Sequence, residues 1–296
     1  MPPSGTAPTI SLVVTDLDNT LWDWFDAWHR SFATLLREVS RLSGVPVATL
    51  EQEARVVHQR RGTSEYSYLL NELPSLLKLS RDPLTDFDAA VHAQNTARKA
   101  STRLYAGVAT TLESIQGAGV PVVGYTESLA FWTEWRMRHL GIDGLLSALY
   151  SSPDHDLPEG ISFEKLRTQS PDHYGLRLTP HRHVTAGLTK PSTAVLTQII
   201  QSMGASPTTT LYVGDSLIKD VVMAQSVGAY DAHAAYGTVQ HRPEYDLLRR
   251  VTHWTDETVQ KERLAAERAG VITPSYVLEK GFGQLLDIFS FDGSHS

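Results

Sequence analysis

The chain carries two aspartates one residue apart at the end of an apolar run, Ser11-Leu-Val-Val-Thr-Asp16-Leu-Asp18-Asn-Thr20. Two carboxylates held that close repel unless a cation or a shared proton relieves them. Such a pair suits metal binding or catalysis. The plainer alternative is an Asx-type turn built by Asp18 and Asn19. Three further polar groups follow along the chain: Thr126, then Lys190, then Asp215 with Asp220. Together these are the parts that phosphoryl transfer needs. Asp16 would be the nucleophile, forming an aspartyl phosphate. Asp18 would serve as general acid and then as general base. Asp16, Asp215 and Asp220 would hold a hard divalent cation through oxygen. Thr126 and neighbouring backbone N–H groups would bind phosphate oxygens, and Lys190 would offset charge on the transferring group.

These groups need a scaffold that brings them together. Leu12 to Val14 has the β-branched, unbroken apolar character of a buried strand. Val120 to Tyr125 reads as a second strand, ending at Thr126. Thr208 to Val213 is a third, ending at Gly214-Asp215. Lys190 stands just before a helix expected over residues 192–203. Each polar group thus falls at the end of a strand or the start of a helix, where open parallel sheets bind their ligands. Further strands are expected over 146–150 and 230–235, and helices over 107–117, 129–140 and 219–227. Residues 274–289 should return a strand and a helix to the core. The alternation predicts an α/β fold: a doubly wound, Rossmann-like parallel-sheet core with helices on both faces.

Residues 22–103 break this alternation. Trp28, Phe32, Leu35, Leu36, Val39 and Leu42 recur at helical spacing until Gly44 and Pro46 stop the run. A second helix is expected from Thr49, where Thr49-Leu-Glu-Gln52 resembles a capping box, to Arg60. Others are expected over 65–73 and 85–100. The pattern predicts an inserted all-helical cap domain over 22–103, with the core formed by 9–21 and 104–296. Within the core, the stretches 152–188 and 238–272 read as irregular insertions. Arg60 and Arg61 occupy a loop between cap helices; they are candidates to bind substrate, and equally a solvated basic pair. His155, His173, His181 and His183 are loosely spaced in a polar stretch and read as solvated, since a hard cation prefers oxygen. Trp22, Trp24, Phe25 and Trp28 read as packing between cap and core, with one of them a candidate to line the substrate pocket.

Composition narrows the classes. The 296 residues are 41% hydrophobic and 20% charged, an ordinary globular balance. A net charge of -7 argues against nucleic acid as the partner. The absence of cysteine excludes disulfides and thiol chemistry. Residues 1–8 lack the basic and apolar regions of a signal peptide and read as a disordered lead-in. No apolar run reaches the ~18 residues of a membrane span. A soluble, cytoplasmic protein is expected, acting on a small-molecule phosphate ester and on neither nucleic acid nor membrane. Nothing in the sequence sets its oligomeric state.

In their order along the chain, Asp16-Leu-Asp18-Asn-Thr20, Thr126, Lys190 and Gly214-Asp215-Ser-Leu-Ile-Lys-Asp220 resemble the motifs of the haloacid dehalogenase superfamily of hydrolases. The resemblance covers roughly residues 10–236 and is closest to the phosphoglycolate-phosphatase-like branch, which places a helical cap between the first two motifs. It implies Asp16 as nucleophile, Asp18 as acid and base, and Thr126 and Lys190 as phosphate ligands. It implies Mg²⁺ held by Asp16, the backbone carbonyl of Asp18, and Asp215, with Asp220 a direct ligand or one step behind. An acid at position 18 favours phosphatase or phosphomutase chemistry over dehalogenation. The cap lysines, Lys78 and Lys99, lie in no early cap motif, which disfavours phosphonate hydrolysis. The implied function is a Mg²⁺-dependent phosphatase of a small phosphorylated metabolite. A phosphomutase, and a non-catalytic phospho-acceptor or binding protein, are the alternatives.

Overall fold

Leu12, Val13 and Val14 have no exposed surface, because the strand they form is enclosed on both faces. The computed structural model describes residues 7–257, 260, 264 and 272–294. Its strands are β1 (Thr9–Ile10), β2 (Leu12–Thr15), β3 (Val122–Leu129), β4 (Ala148–Ser152), β5 (His181–His183), β6 (Thr210–Gly214), β7 (Tyr230–His233), β8 (Tyr276–Val277) and β9 (Ser290–Phe291). Seven of them form one parallel sheet in the order β5-β4-β3-β2-β6-β7-β8. β1 pairs separately with β9. Side chains alternate across β2. Val13 therefore joins one core with Leu112 and Ile115 of helix α6 (Val108–Gly117) and Met137 of α7 (Ala130–His139). Leu12 and Val14 join the opposite core with Leu196 and Ile199 of α9 (Thr193–Ser202) and Met223 of α10 (Val222–Val227). Fully burying one such aliphatic side chain contributes about 1.5–3 kcal/mol.

The segment between β2 and α6 is helical: α1 (Trp24–Ser43), α2 (Val47–Arg61), the short α3 (Pro74–Leu77) and α4 (Pro83–Asp86), and α5 (Asp88–Ser101). Asp23 caps α1 by accepting from the N–H of Asp26, and Gly44 ends it in the left-handed conformation. Phe25, Trp28, Phe32, Leu35, Leu36 and Val39 form the inward stripe of α1. They pack on Leu50, Ala54 and Val57 of α2 and on Leu69, Leu70 and Leu73. Tyr245, Leu248 and Val251 of α11 (Tyr245–Val251) join this cluster, although α11 follows β7 in sequence. His58 Nδ1 donates to the Val251 carbonyl at 2.6 Å, and burial pulls this imidazole down to about 4, so it is neutral.

Several elements differ from the sequence expectations. α2 starts at Val47, not Thr49, with Pro46 in extended backbone at the cap position and no side-chain cap. Thr49 lies inside the first turn, its own N–H donating to the Pro46 carbonyl at 3.0 Å, so it is not the cap. The helix expected over 65–73 contracts to a 3₁₀ turn, Leu69–Glu72, and that over 85–100 is split between α4 and α5 at Phe87. The stretch 152–188 contains β5 and the short helix α8 (Phe163–Leu166). His-Arg-His has no apolar periodicity, so an edge strand there leaves no sequence signal. Two histidines of that stretch are partly buried and make specific contacts. His181 lies 2.8 Å from a Glu134 oxygen and 2.7 Å from Ser151 Oγ, and His155 packs edge-on against Tyr66. In the stretch 238–272, residues 258–259, 261–263 and 265–271 lie outside the described residues, as do residues 1–6 of the lead-in. Among the described residues no helix is long and apolar enough to cross a membrane.

Candidate active site

From β2 the chain builds β3, β4 and β5 to one side, then β6, β7 and β8 to the other. The strand order reverses at β2, and a crevice opens beyond its carboxyl end, flanked by β3 and β6. Asp16 follows β2 directly, Asp215 follows β6, and Thr126 lies in β3 where its register against β4 shifts. Asn19 takes a left-handed conformation, φ 58°, and its side chain accepts from the Phe25 N–H at 3.1 Å, turning the chain toward α1. Gly214 allows Asp220 to close on the strand: a Cβ there would stand 2.3 Å from the Asp220 carboxylate. Asp220 belongs to a π-helical turn, Leu217–Val221, that precedes α10.

Lys190 Nζ donates to Asp16 Oδ1 at 2.5 Å and to Asp220 Oδ1 at 3.0 Å. Tyr212 Oη donates to the same Asp220 oxygen at 3.0 Å, and the Ser216 N–H to Asp220 Oδ2 at 3.1 Å. Carboxylate oxygens of Asp16, Asp215 and Asp220 lie within 4.8 Å of one another. Burial dominates their titration. It pushes Asp16 up to about 7 in spite of Lys190, and Asp215 well above the usual carboxylate range, with Asp16 adding to the effect. Burial alone would lower Lys190, but Asp16 and Asp220 hold its ammonium well above the ordinary value. Three carboxylates thus face one ammonium. An oxygen-ligated divalent cation fits this donor set and relieves the remaining charge.

Asp18 points elsewhere. Its carboxylate accepts from Trp22 Nε1 at 2.6 Å and from the Ser128 hydroxyl, with Arg136 Nη1 3.7 Å away. Burial raises Asp18, and the Arg136 guanidinium opposes the rise. Thr126 is buried, and its Oγ1 accepts from the Ser128 N–H at 3.1 Å, leaving the hydroxyl proton free to donate. Glu127 binds the Lys190 N–H at 2.9 Å and Lys219 Nζ at 2.7 Å, fixing the approach of Lys190 to the strand end.

A family model for haloacid dehalogenase-like hydrolases matches residues 10–228, from β1 to the end of α10. The chain belongs to this family. As a haloacid dehalogenase-like hydrolase, it is an enzyme whose matched span contains every group described above. No curated protein matches it in sequence. Among solved structures it is similar to a 2-haloacid dehalogenase from Pseudomonas syringae pv. Tomato DC3000, at 17% identity and TM-score 0.51, over 94% of this chain and 97% of that one. It is similar to a chain assigned as a β-phosphoglucomutase from Thermotoga maritima, at 15% identity and TM-score 0.51, over 94% and 98%. At these identities the likeness is one of fold.

In this hydrolase Arg60 and Arg61 are not brought to the aspartates. Both guanidinium groups pair with Glu72, whose carboxylate also takes the Tyr66 hydroxyl. Sequence reasoning missed Arg136 and Glu65. Arg136 is 2% exposed and bridges Asp18 to Glu65, which lies in the loop after α2 and also accepts from Trp24 Nε1 at 3.1 Å. A signal existed: Arg136 shares the inward face of α7 with Ala130, Thr133 and Met137. An arginine on an apolar stripe needs buried carboxylates.

Proposed function

We propose that this hydrolase is a Mg²⁺-dependent phosphatase acting through a phosphorylated Asp16. The observation that carries this reading is the separation of the two aspartates. Asp16 belongs to the charged cluster, while Asp18 is held apart from it, and burial raises its carboxyl above the usual value, as suits a proton donor. A carboxylate oxygen of Asp16 attacks phosphorus as the bond to the leaving oxygen breaks, and Asp18 gives its proton to that oxygen. Asp18, now ionised, takes a proton from water; the water oxygen attacks phosphorus and the bond to Asp16 breaks. The products are an alcohol and phosphate, with both aspartates restored. The Thr126 hydroxyl and the Lys190 ammonium bind the phosphoryl oxygens throughout. Asp16, the Asp18 carbonyl and Asp215 would hold Mg²⁺, which draws negative charge from the phosphoryl group. The oxygens of Asp220 already accept three hydrogen bonds, which supports a role in positioning Lys190.

Asp18→Asn keeps the shape of the side chain and loses the proton. It should lower turnover of an alkyl phosphate by about 10²–10⁴-fold, and acid-quenched enzyme should retain phosphate on Asp16. Unchanged turnover would remove Asp18 from the mechanism; phosphate returned to substrate in place of water would identify a mutase.

The metal assignment has a pH signature. Asp16 rises from 3.8 unfolded to about 7 folded. Its contribution to stability is therefore full below the unfolded value and is lost as pH rises through the folded one. Mg²⁺ takes the place of that proton and needs the ionised ligand. The rise in Tm on adding Mg²⁺ should grow between pH 5 and pH 8 and vanish in Asp215→Asn. A Mg²⁺ effect that is flat with pH, or intact in the variant, refutes the site.

A further inference from the structure

A cavity of about 790 Å³ is bounded by the helices that follow β2, by α7 and by the stretch 154–177. Trp28, Phe32, Tyr66, Phe131, Trp132 and Trp135 give it aromatic walls. Two other wall residues tie it to Asp18. Glu65 shares Arg136 with that aspartate, and Leu129 directly follows Ser128, which binds it. Small-molecule pockets span about 300–1,000 Å³. A leaving group of two or three carbons would leave most of this one to water.

Arg98 of α5 stands in the same wall and is 8% exposed. Its Nη1 donates to Asn95 Oδ1 at 2.9 Å, and its guanidinium lies 4.1 Å from the centroid of the Trp132 ring. Among the described residues no carboxylate forms an ion pair with it, whereas buried Arg136 has two. Burial lowers Arg98 to about 10, with Glu65 opposing, so it stays charged at neutral pH. Glu65 acts on it only at a distance, and a buried charge with no direct ion pair is costly. An aromatic cavity whose wall holds a guanidinium with no carboxylate in direct contact is complementary to a ring that carries an anion.

We infer that this cavity takes the leaving group of the substrate, and that Arg98 selects a leaving group with a planar ring and an anionic group of its own. The inference rests on the phosphatase reading above. Carboxylate and phosphate share the required chemistry, and matched ester pairs separate them. With the full chain and Mg²⁺, kcat/KM is measured for naphthyl phosphate against its carboxylated counterpart. The second pair is adenosine 5′-monophosphate against adenosine 3′,5′-bisphosphate. At least one anionic member should exceed its partner by about 10–100-fold, the worth of a charge-assisted hydrogen bond. Arg98→Gln should bring that ratio close to unity, and Arg98→Lys should keep part of it. Equal rates within both pairs, or a ratio that survives Arg98→Gln, overturn the inference and leave the phosphatase reading intact. Binding of the product alcohols, hydroxynaphthoate and adenosine 3′-monophosphate, is followed by calorimetry. If no ester is hydrolysed, product binding that Arg98→Gln abolishes supports the cavity and sinks the phosphatase reading. Absence of both hydrolysis and binding overturns the inference.

Discussion

Asp16→Asn should abolish phosphate release from an aryl phosphate, with kcat falling by about four orders of magnitude or more. The amide oxygen is too weak a nucleophile to displace an aryloxide from phosphorus, and no other group in the cluster can replace it. Asp215 and Asp220 belong to the same cluster, but Asp220 is engaged by Lys190, Tyr212 and the Ser216 N–H. The fold should survive, because Lys190 keeps Asp220 as a partner at 3.0 Å. A malachite-green assay on the purified variant, with circular dichroism to establish folding, checks this. Activity within a hundredfold of the parent in a folded variant would exclude Asp16 as nucleophile.

The second large effect concerns stability and lies outside the family motifs. Arg136→Met should destabilise the protein by about 3–5 kcal/mol, because it leaves Asp18 and Glu65 buried without their shared cation. For a chain of this size that is a fall in Tm of roughly 10 °C. The bridge joins α7 to the loop after α2, so its loss also loosens the hold of that loop on α7. Pairing the change with Glu65→Met removes one of the two stranded charges. The double variant should then lose less than the sum of the single ones, since neighbours in one network are not additive. Urea unfolding of the four proteins measures the coupling. A loss below about 1 kcal/mol for Arg136→Met would show that the bridge is a solvated pair of the kind that contributes little.

The parallel sheet was legible because its central strands are short, apolar and β-branched, and each ends in polar residues. Leu12 to Val14 and Thr210 to Val213 are buried on both faces, so their sequence is continuous rather than alternating. The family was legible for a related reason: its motifs lie at strand ends, where spacing along the chain translates into position at one sheet edge. β5 was not legible. It is an edge strand of His-Arg-His whose place is set by pairing with β4 rather than by burial of its own side chains.

By itself, then, the sequence determined the α/β alternation, the helical segment after β2 and the aspartates at the sheet's carboxyl edge, because each is a local pattern. Only the tertiary structure decided which charges meet. Arg60 and Arg61, neighbours in a loop, are both bound by Glu72, while Arg136 reaches Asp18 from 118 positions further along the chain. Ion pairing follows distance in space and the dielectric of the surroundings, and neither quantity is a function of sequence spacing. The same holds for Arg98, which among the described residues has no carboxylate in direct contact, a feature that arises only where α5 meets Trp132 of α7.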